Sequence, residues 1–373
     1  MTQKISIIGG GIIGKMTAIA MHNLDFDVSI FCDEQGKKTN DRYFSINLLS
    51  KYLFEEYNIW SLIKKKGVNP YSKIITWDNL QTEEVSFESR NINELNLAYV
   101  ISESNILSAI DSRIQKKSIK FESINDVNGN LDGYDYVINT INDNGLRIDT
   151  HGRYKTNYSQ KAVVMNIDVD NPSYVAYQKF LDGQILGLIP ISSKSFNLIW
   201  SIDDNKADNL LSKTKIEIIN FLNDELEEKI GKIRDCSSYN IFSLSGYLGK
   251  YCLNEKKIHI GGALHSVHPL AGLGLNMGLQ DIYCLTSKIK KNSKHINKLS
   301  LYEFQDFALS VNKQTFFGIN FLKKFYCDFT SANLRKYLLR FFNSNITLKK
   351  SVIRFATGLQ TKDKISRRLQ KTQ

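Results

Sequence analysis

Gly9, Gly11 and Gly14 stand in the spacing Gly-x-Gly-x-x-Gly, directly after the apolar run Ile5-Ser6-Ile7-Ile8 and before the helix-compatible segment Lys15 to His22. That setting carries more information than the spacing itself. A strand that turns sharply into a helix needs one glycine for the turn, a second where backbone approaches a pyrophosphate, and a third where helix packs on strand. The amides at the helix start then face the phosphate charge. Val28-Ser29-Ile30-Phe31 supplies the next strand, so residues 5–31 read as the opening of a parallel sheet that binds a dinucleotide. The pattern does not separate FAD from NAD, because both present the same pyrophosphate.

An acid at the end of the second strand, about 20 residues past the glycines, normally accepts the ribose hydroxyls. Here that position falls on Cys32, and Asp33 serves only through a one-residue shift, which makes Asp33 the candidate.

A second glycine-rich segment runs from Gly261 to Asp281. Of the chain's 22 glycines, nine lie in these two loops, marking two places where backbone comes close to a neighbour or a ligand. The second segment reads as a strand ending at Ile260, a loop stiffened by Pro269, and a helix beginning near Gly274 whose N-terminal dipole favours negative charge. A plain nicotinamide dehydrogenase leaves this second loop without a purpose.

Between the two loops the pattern changes. Ile74-Ile75-Thr76-Trp77 and Val85-Ser86-Phe87 alternate around a polar turn, as in an antiparallel hairpin, and further strands are expected at 162–167, 185–191 and 197–201. Asp135 to Ile138 and Lys257 to Ile260 look like buried strands returning to the parallel sheet, and from Leu299 the pattern is helical. The expected fold is a mixed α/β (α+β) chain. A Rossmann-like domain (1–70, 97–160 and 240–298) is interleaved with an antiparallel-sheet substrate domain (71–96 and 161–239), followed by C-terminal helices (299–373).

The formal charge of +11 sits mainly near the end, where Lys349, Lys350, Arg354, Lys362, Lys364, Arg367, Arg368 and Lys371 face the single acid Asp363. Just upstream, Leu334, Tyr337, Leu338, Phe341 and Phe342 recur at helical spacing among Arg335, Lys336 and Arg340. A solvated basic helix and a helix that meets an anionic membrane surface both fit this pattern. No apolar run approaches the roughly 20 residues that span a bilayer, so a membrane contact is expected to be peripheral. Net charge without a reading motif does not support nucleic-acid binding. The five scattered cysteines, with no Cys-x-x-Cys pair, and the absence of room for a leader before Ile5 are read as a cytoplasmic chain without disulfides or a zinc knuckle. His265 and His268 have no third ligand nearby, so no metal is expected.

The segment Gly261 to Asp281 resembles the GD-x-x-H-x-x-x-P-x-x-G-x-G-x-N-x-G signature of the class A flavoprotein monooxygenases. Other stretches narrow the resemblance to the ubiquinone-biosynthesis hydroxylases: Asn40 to Ser50 with Ile59-Trp60, Leu97 to Ile101, Ala176 to Phe180 with Leu186 to Pro190, Trp200, Asn345 to Lys349 and Ala356-Thr357-Gly358. It covers almost the whole chain. It implies FAD bound at Gly9, Gly11, Gly14 and Asp33, with Arg42 near its phosphate or ribityl region, Gly262 at its ribityl chain, and Pro269, Gly272, Gly274, Leu275 and Asn276 beside the flavin ring. It further implies that reduced flavin captures molecular oxygen and passes one atom to the ring of a polyprenylated phenol or quinol. Pro269, Gly272 and Gly274 then position the flavin, and no catalytic side chain is assigned. The electron donor is open, with NAD(P)H a candidate. Contact with a membrane through the basic C-terminal region and with other quinone-biosynthesis proteins is part of the same expectation.

The chain departs from the family pattern at three places. Cys32 replaces the ribose acid, Gly262 replaces the aspartate that binds the ribityl chain, and Asn139 to Gly145 replaces the middle Asp-Gly motif, leaving Asp143 without a secure role. These departures leave open a non-catalytic homologue that binds FAD weakly or not at all and serves as an interaction subunit. A flavin reductase or halogenase of related fold is a further alternative, although Trp60, Trp77 and Trp200 form no paired-tryptophan motif.

Overall fold

The computed structural model describes residues 2–33, 42–80, 83–123, 131–142, 152–292, 294–328 and 331–370. Its first sheet has six strands in the order Leu253–Asn254, Lys257–His259, Tyr136–Asn139, Lys4–Ile8, Asp27–Phe31 and Lys120–Glu122. The pairs around Lys4–Ile8 are parallel, and Ile5, Ile7 and Ile8 are buried almost completely, as expected of a strand covered on both faces. Helices Ile12–His22, Glu103–Ile114 and Gly274–Lys291 contribute to the core around this sheet, with Met16, Ile19, Ile110, Leu279 and Ile282 among the side chains it buries.

The second sheet is long and mostly antiparallel. Arg153–Val169 is its central strand, flanked by Asn240–Gly249 and Ser195–Asp203, and the sheet continues through Gln184–Pro190, Val175–Leu181, Lys73–Asp78 and Val85–Glu88. One pair, Val175–Leu181 with Lys73–Asp78, is parallel because a crossover separates the two segments in sequence. The helix Lys215–Ile230 is started by a Thr214/Glu217 capping box and covers one face through Ile218, Leu222, Leu226 and Ile230. Two sheets sharing several crossings, followed by helices from Lys298 to Gln370, give the mixed α/β architecture. Arg153–Val169 continues past position 160, with a register shift between Asn157 and Gln160, and Asn240–Gly249 pairs with it, so residues 153–160 and 240–249 lie in the long sheet rather than with the first sheet, where the expected boundaries 97–160 and 240–298 put them. Alternation in those two strands is masked by exposed polar residues, which hid their continuity.

A three-stranded sheet, Tyr43–Asn47, Ala98–Ser102 and Asn69–Tyr71, adds Ile46 and Ile101 to the core around the first sheet and Tyr71, Ala98 and Val100 to a cluster with Ala176 of the long sheet. A smaller apolar cluster joins Leu270 of the second glycine loop to Phe180 and Ile185 of the long sheet and to Ile319, Tyr326 and Leu339 of the C-terminal helices.

Candidate functional site

The three glycines of the first loop have three different surroundings. Gly9 has φ +117°, and a Cβ there would lie 2.5 Å from Thr140 Oγ1. A Cβ on Gly14 would lie 1.8 Å from the Gly9 carbonyl oxygen, so the helix packs directly on the turn. A Cβ on Gly11 would meet nothing within 4 Å. Gly11 therefore faces open space at the start of helix Ile12–His22, where the first amides lack partners within the helix and an anionic group is favoured.

Around this turn, Cys32 still belongs to the sheet through its N–H, which donates to the Glu122 carbonyl at 3.0 Å, and its thiol is pushed up mainly by burial. Asp33 is the exposed residue just beyond. Arg42 makes a bidentate pair with Glu103, Nε to Oε2 at 2.8 Å and Nη2 to Oε1 at 2.6 Å, and lies over the Phe44 ring at 5.6 Å. In the middle segment Thr140 Oγ1 donates to the Ile8 carbonyl at 2.8 Å, and Asn142 Oδ1 accepts from Arg153 Nη1 at 3.0 Å. Arg153 Nη2 also reaches the Ala263 carbonyl at 3.1 Å, tying this segment to the second glycine loop. Asp143 lies outside the described residues.

The second loop is held from behind by side chains. Asp281, 1% exposed, accepts at Oδ2 from the Gly261 N–H at 3.0 Å and lies 2.8 Å from His265 Nε2. Its Oδ1 accepts from Asn312 Nδ2 at 2.9 Å. His268 accepts at Nδ1 from the Leu270 N–H at 3.1 Å, which leaves Nε2 to donate to Gln160 Oε1 at 3.2 Å. Burial, and secondarily the charge of Lys323, push the His268 ring down to about 3, so it is neutral at physiological pH. Gln160 donates in turn to the Gly183 carbonyl at 3.0 Å and to Asp203 at 3.1 Å, linking the loop to the long sheet.

Asn276 uses both ends of its amide. Oδ1 accepts from the Asn47 N–H at 2.9 Å and Ser50 Oγ at 2.8 Å, while Nδ2 donates to the Ser45 carbonyl at 2.7 Å and the Gly272 carbonyl at 3.0 Å. Asn276 thus supports the loop from the side of the three-stranded sheet. Pro269 and Leu275 are half-buried, while Gly272, at φ +59°, and Gly274 are exposed, and a Cβ on Gly274 would meet nothing within 4 Å. Gly262 is packed: a Cβ there would lie 3.1 Å from the Thr140 carbonyl oxygen, and the Gly262 carbonyl accepts from the Tyr247 hydroxyl.

Ile13 joins the two loops. A Cβ on Gly261 would lie 3.0 Å from Ile13 Cγ2, and one on Gly278 would lie 2.7 Å from Ile13 Cδ1. The side chain between the second and third glycines of the first loop therefore occupies a notch made by two glycines of the second. Gly9, Gly11, Gly14, Gly262 and, through Asn276, Gly272 and Gly274 are brought into one region. Asp281, Gln160 and Ile13 are structural supports of the two loops that the motifs did not single out. An acid inside the apolar helix face of Leu279, Ile282 and Leu285 was the available signal for Asp281, while Ile13 and Gln160 had none.

Gly11 and Gly274 are open positions at two helix starts, on loops held together by Ile13, and the start of each helix favours an anionic group. Residues 140–302 match the family described as FAD binding domain. The ubiquinone biosynthesis monooxygenase COQ6 of Danio rerio is 24% identical, over 95% of this chain and 89% of that protein. The fold is shared with p-nitrophenol 4-monooxygenase PnpA from Pseudomonas putida DLL-E4, at 12% identity and TM-score 0.72 over 94% of this chain and 96% of the other. It is also shared with the flavin-dependent brominase Bmp2, at 13% identity and TM-score 0.73 over 96% and 94%. The chain is an FAD-dependent monooxygenase, an oxidoreductase. Its fold is that of flavin-dependent aromatic monooxygenases. The non-catalytic alternative is not favoured.

FAD, when bound, supplies the oxygen-activating chemistry, and the protein supplies position and electrostatics. The residues named here contribute backbone donors, a neutral histidine and buried polar anchors. Among the described residues no group of three or more His, Cys, Asp or Glu side chains is placed to hold a metal. His265 and His268 are taken up by Asp281 and by Gln160 and Leu270.

Proposed function

We propose that the protein hydroxylates the aromatic ring of a polyprenylated phenol or quinol in ubiquinone biosynthesis. One atom of molecular oxygen enters the ring in place of hydrogen, and the other leaves as water with two electrons from a donor such as NAD(P)H. The observation that carries this reading is the similarity to COQ6 across 95% of the chain, which extends far beyond the cofactor motifs alone. In this reading the FAD pyrophosphate meets Gly9, Gly11 and Gly14, and the ribose meets Asp33. Arg42 stands toward the phosphate or ribityl region and Gly262 beside the ribityl chain, while Pro269, Gly272, Gly274, Leu275 and Asn276 frame the flavin ring. The basic C-terminal region brings the enzyme to the membrane that holds its substrate, where other quinone-biosynthesis proteins are its partners.

Purified protein titrated with FAD should bind one flavin per chain. The loaded enzyme, given a short-chain prenylated phenol, oxygen and a reductant, should yield a product heavier by one oxygen atom, labelled from 18O2. Binding of flavin without any hydroxylated product across phenol and quinol substrates would refute the substrate assignment and leave the cofactor assignment standing.

A further inference from the structure

After helix Lys298–Lys323 the chain makes a π-helical turn, Lys324–Asp328, before helix Ala332–Ser344 begins. Turns of this kind are uncommon and recur at functional sites. This one lays Tyr326 flat on Phe180 of the long sheet, with ring centroids 3.8 Å apart and planes 5° from parallel. Aromatic pairs in a core favour edge-on or offset contacts with centroids roughly 4.5–7 Å apart. Phe325 with Tyr326 and Phe87 with Phe342, in the same cluster, follow that preference at 5.2 Å and 5.9 Å. The near-eclipsed pair gives up the least when another flat ring replaces one of its members.

The hydroxyl end of Tyr326 has equally specific surroundings. It meets the Thr76 hydroxyl, whose own proton goes to the Val85 carbonyl at 3.3 Å, so the Thr76 oxygen is left to accept from the phenol. Asp78 and Arg335 pair at 3.0 Å with both side chains almost fully buried, and both charges act on the same phenol. Arg335, grouped by sequence with the surface cations of its helix, is therefore an inner residue. A buried ion pair adds little net stability once both charges are taken out of water. Together with Thr76 it makes a polar end to a ring site whose sides are apolar: Phe180, Ile185 and Leu270 are buried in the cluster with Tyr326, and Val267 and Leu273 pack against it. Burial pushes the Tyr326 hydroxyl up to about 12, so the group held there is a neutral phenol.

We infer that this is a phenol-binding site which the chain fills with its own Tyr326, and that a ligand phenol enters by displacing that side chain. The ligand ring lies on Phe180 against the loop of Val267, Leu270 and Leu273, with its hydroxyl on Thr76 beside Asp78 and Arg335. The π turn supplies the means of displacement. It holds one residue more than an α-helical turn, and drawing that residue into the helix above rotates Tyr326 by about 100° about the helix axis and carries it off Phe180. In the proposed reading the same loop frames the flavin ring. The inference deepens that reading and rests on it for its purpose, since it names a subsite for the substrate ring and the side chain that competes for it. Its binding test requires neither flavin nor turnover.

The probes are p-cresol, which has the outline of a tyrosine side chain, and toluene, which keeps the ring and methyl group without the hydroxyl. Calorimetry on the full FAD-loaded chain measures affinity, and the flavin absorbance is recorded in the same titrations. Tyr326→Ala should bind p-cresol at least about tenfold more tightly than the wild type does, and about tenfold more tightly than it binds toluene, the effect of one buried hydrogen bond. Adding Thr76→Val to that variant should abolish the preference for p-cresol. Tyr326→Phe, which keeps the ring and so guards against a failure to fold, loses only the bond to Thr76, and p-cresol should displace its ring about fivefold more readily than in the wild type. Bound p-cresol should shift the flavin spectrum. Equal p-cresol affinity in the wild type and both Tyr326 variants, or toluene bound as tightly as p-cresol by the alanine variant, would overturn the phenol site. A flavin spectrum unmoved by bound p-cresol would overturn its placement against the flavin loop. The expected p-cresol affinities in a chain that takes up no FAD would refute the proposed function alone.

Discussion

The two glycine loops solve one problem by different means. The first is shaped by backbone packed on backbone, with the Gly14 helix start resting on the Gly9 carbonyl. The second is shaped by buried side chains, with Asp281, His268 and Asn276 holding Gly261, Leu270 and Gly272 by hydrogen bonds. A loop of the first kind tolerates no added volume where backbone packs on it, at Gly9 and Gly14, and leans on few side chains besides Ile13. One of the second kind tolerates volume at its open positions and fails when a polar support is removed. Since Ile13 occupies the notch of Gly261 and Gly278, damage to either loop should reach the other.

The largest expected effect is Gly14→Val. Its Cβ would fall 1.8 Å from a backbone oxygen that cannot move without unseating Gly9, so the helix must separate from the strand. Overpacking of this severity costs about 3 kcal/mol or more, and we expect poor recovery of folded protein with no flavin retained. A thermal melt within a few degrees of the wild type would break the account of the first loop.

Asp281→Ala should come next. It leaves the Gly261 N–H, His265 and the Asn312 amide without their common acceptor in a site that is 1% exposed. Leaving buried donors without an acceptor costs about 1–3 kcal/mol each, measurable by urea unfolding, and flavin affinity should fall with it. Asp281→Asn keeps the shape and one acceptor oxygen, so it should lose less than the alanine variant. Equal losses would show that the carboxylate charge, rather than the shape of the support, is what the loop requires.

Acid should weaken the second loop before the first. His268 is pushed down to about 3 and His259 to about 4, in both cases chiefly by burial. Their folded-state values lie below the ordinary value near 6.5, so the unfolded chain takes up protons that the folded chain does not. Stability is therefore whole above about pH 6.5 and falls as pH drops toward 4, by up to about 1.4 kcal/mol per pH unit for each ring. His268→Gln should flatten the slope of unfolding free energy against pH between 6.5 and 4 by about one proton, whatever it does to absolute stability. An unchanged slope would show that His268 is not held neutral.

How far each loop was legible follows from the same contrast. Backbone packing leaves a mark in sequence, because only glycine satisfies it, and the first strand, turn and helix could be placed from Gly9, Gly11 and Gly14. Side-chain supports leave little. Gln160 acts on His268 from 108 positions away, and nothing in its surroundings in sequence distinguishes it. The hairpin of Lys73–Asp78 and Val85–Glu88 was readable from its alternation, yet the seventeen-residue strand Arg153–Val169 was seen only in its apolar half. Its first half pairs at the surface with Asn240–Gly249, where polar residues face both ways. Gly262 illustrates the limit of motif comparison. The family places aspartate there, but in this chain a Cβ would press within 3.1 Å of the Thr140 carbonyl oxygen, so glycine also answers a packing demand of the local backbone.

The smallest expected effect on stability is the sharpest test of the contrast. Gly11 has an ordinary φ of −79°, and its Cβ would meet nothing within 4 Å, so Gly11→Ala should change the unfolding free energy by no more than about 0.5 kcal/mol. In the proposed reading the same methyl group would stand where the dinucleotide phosphate approaches the helix amides. Flavin affinity should therefore fall about tenfold or more, equivalent to at least about 1.4 kcal/mol of binding free energy. Fluorescence titration and thermal melts of the apoprotein separate the two quantities. A variant that binds FAD as tightly as wild type would move the pyrophosphate away from the first loop. One that loses stability as well as flavin would show that the open space at Gly11 is needed by the fold itself, and the two loops would then differ less than their packing indicates.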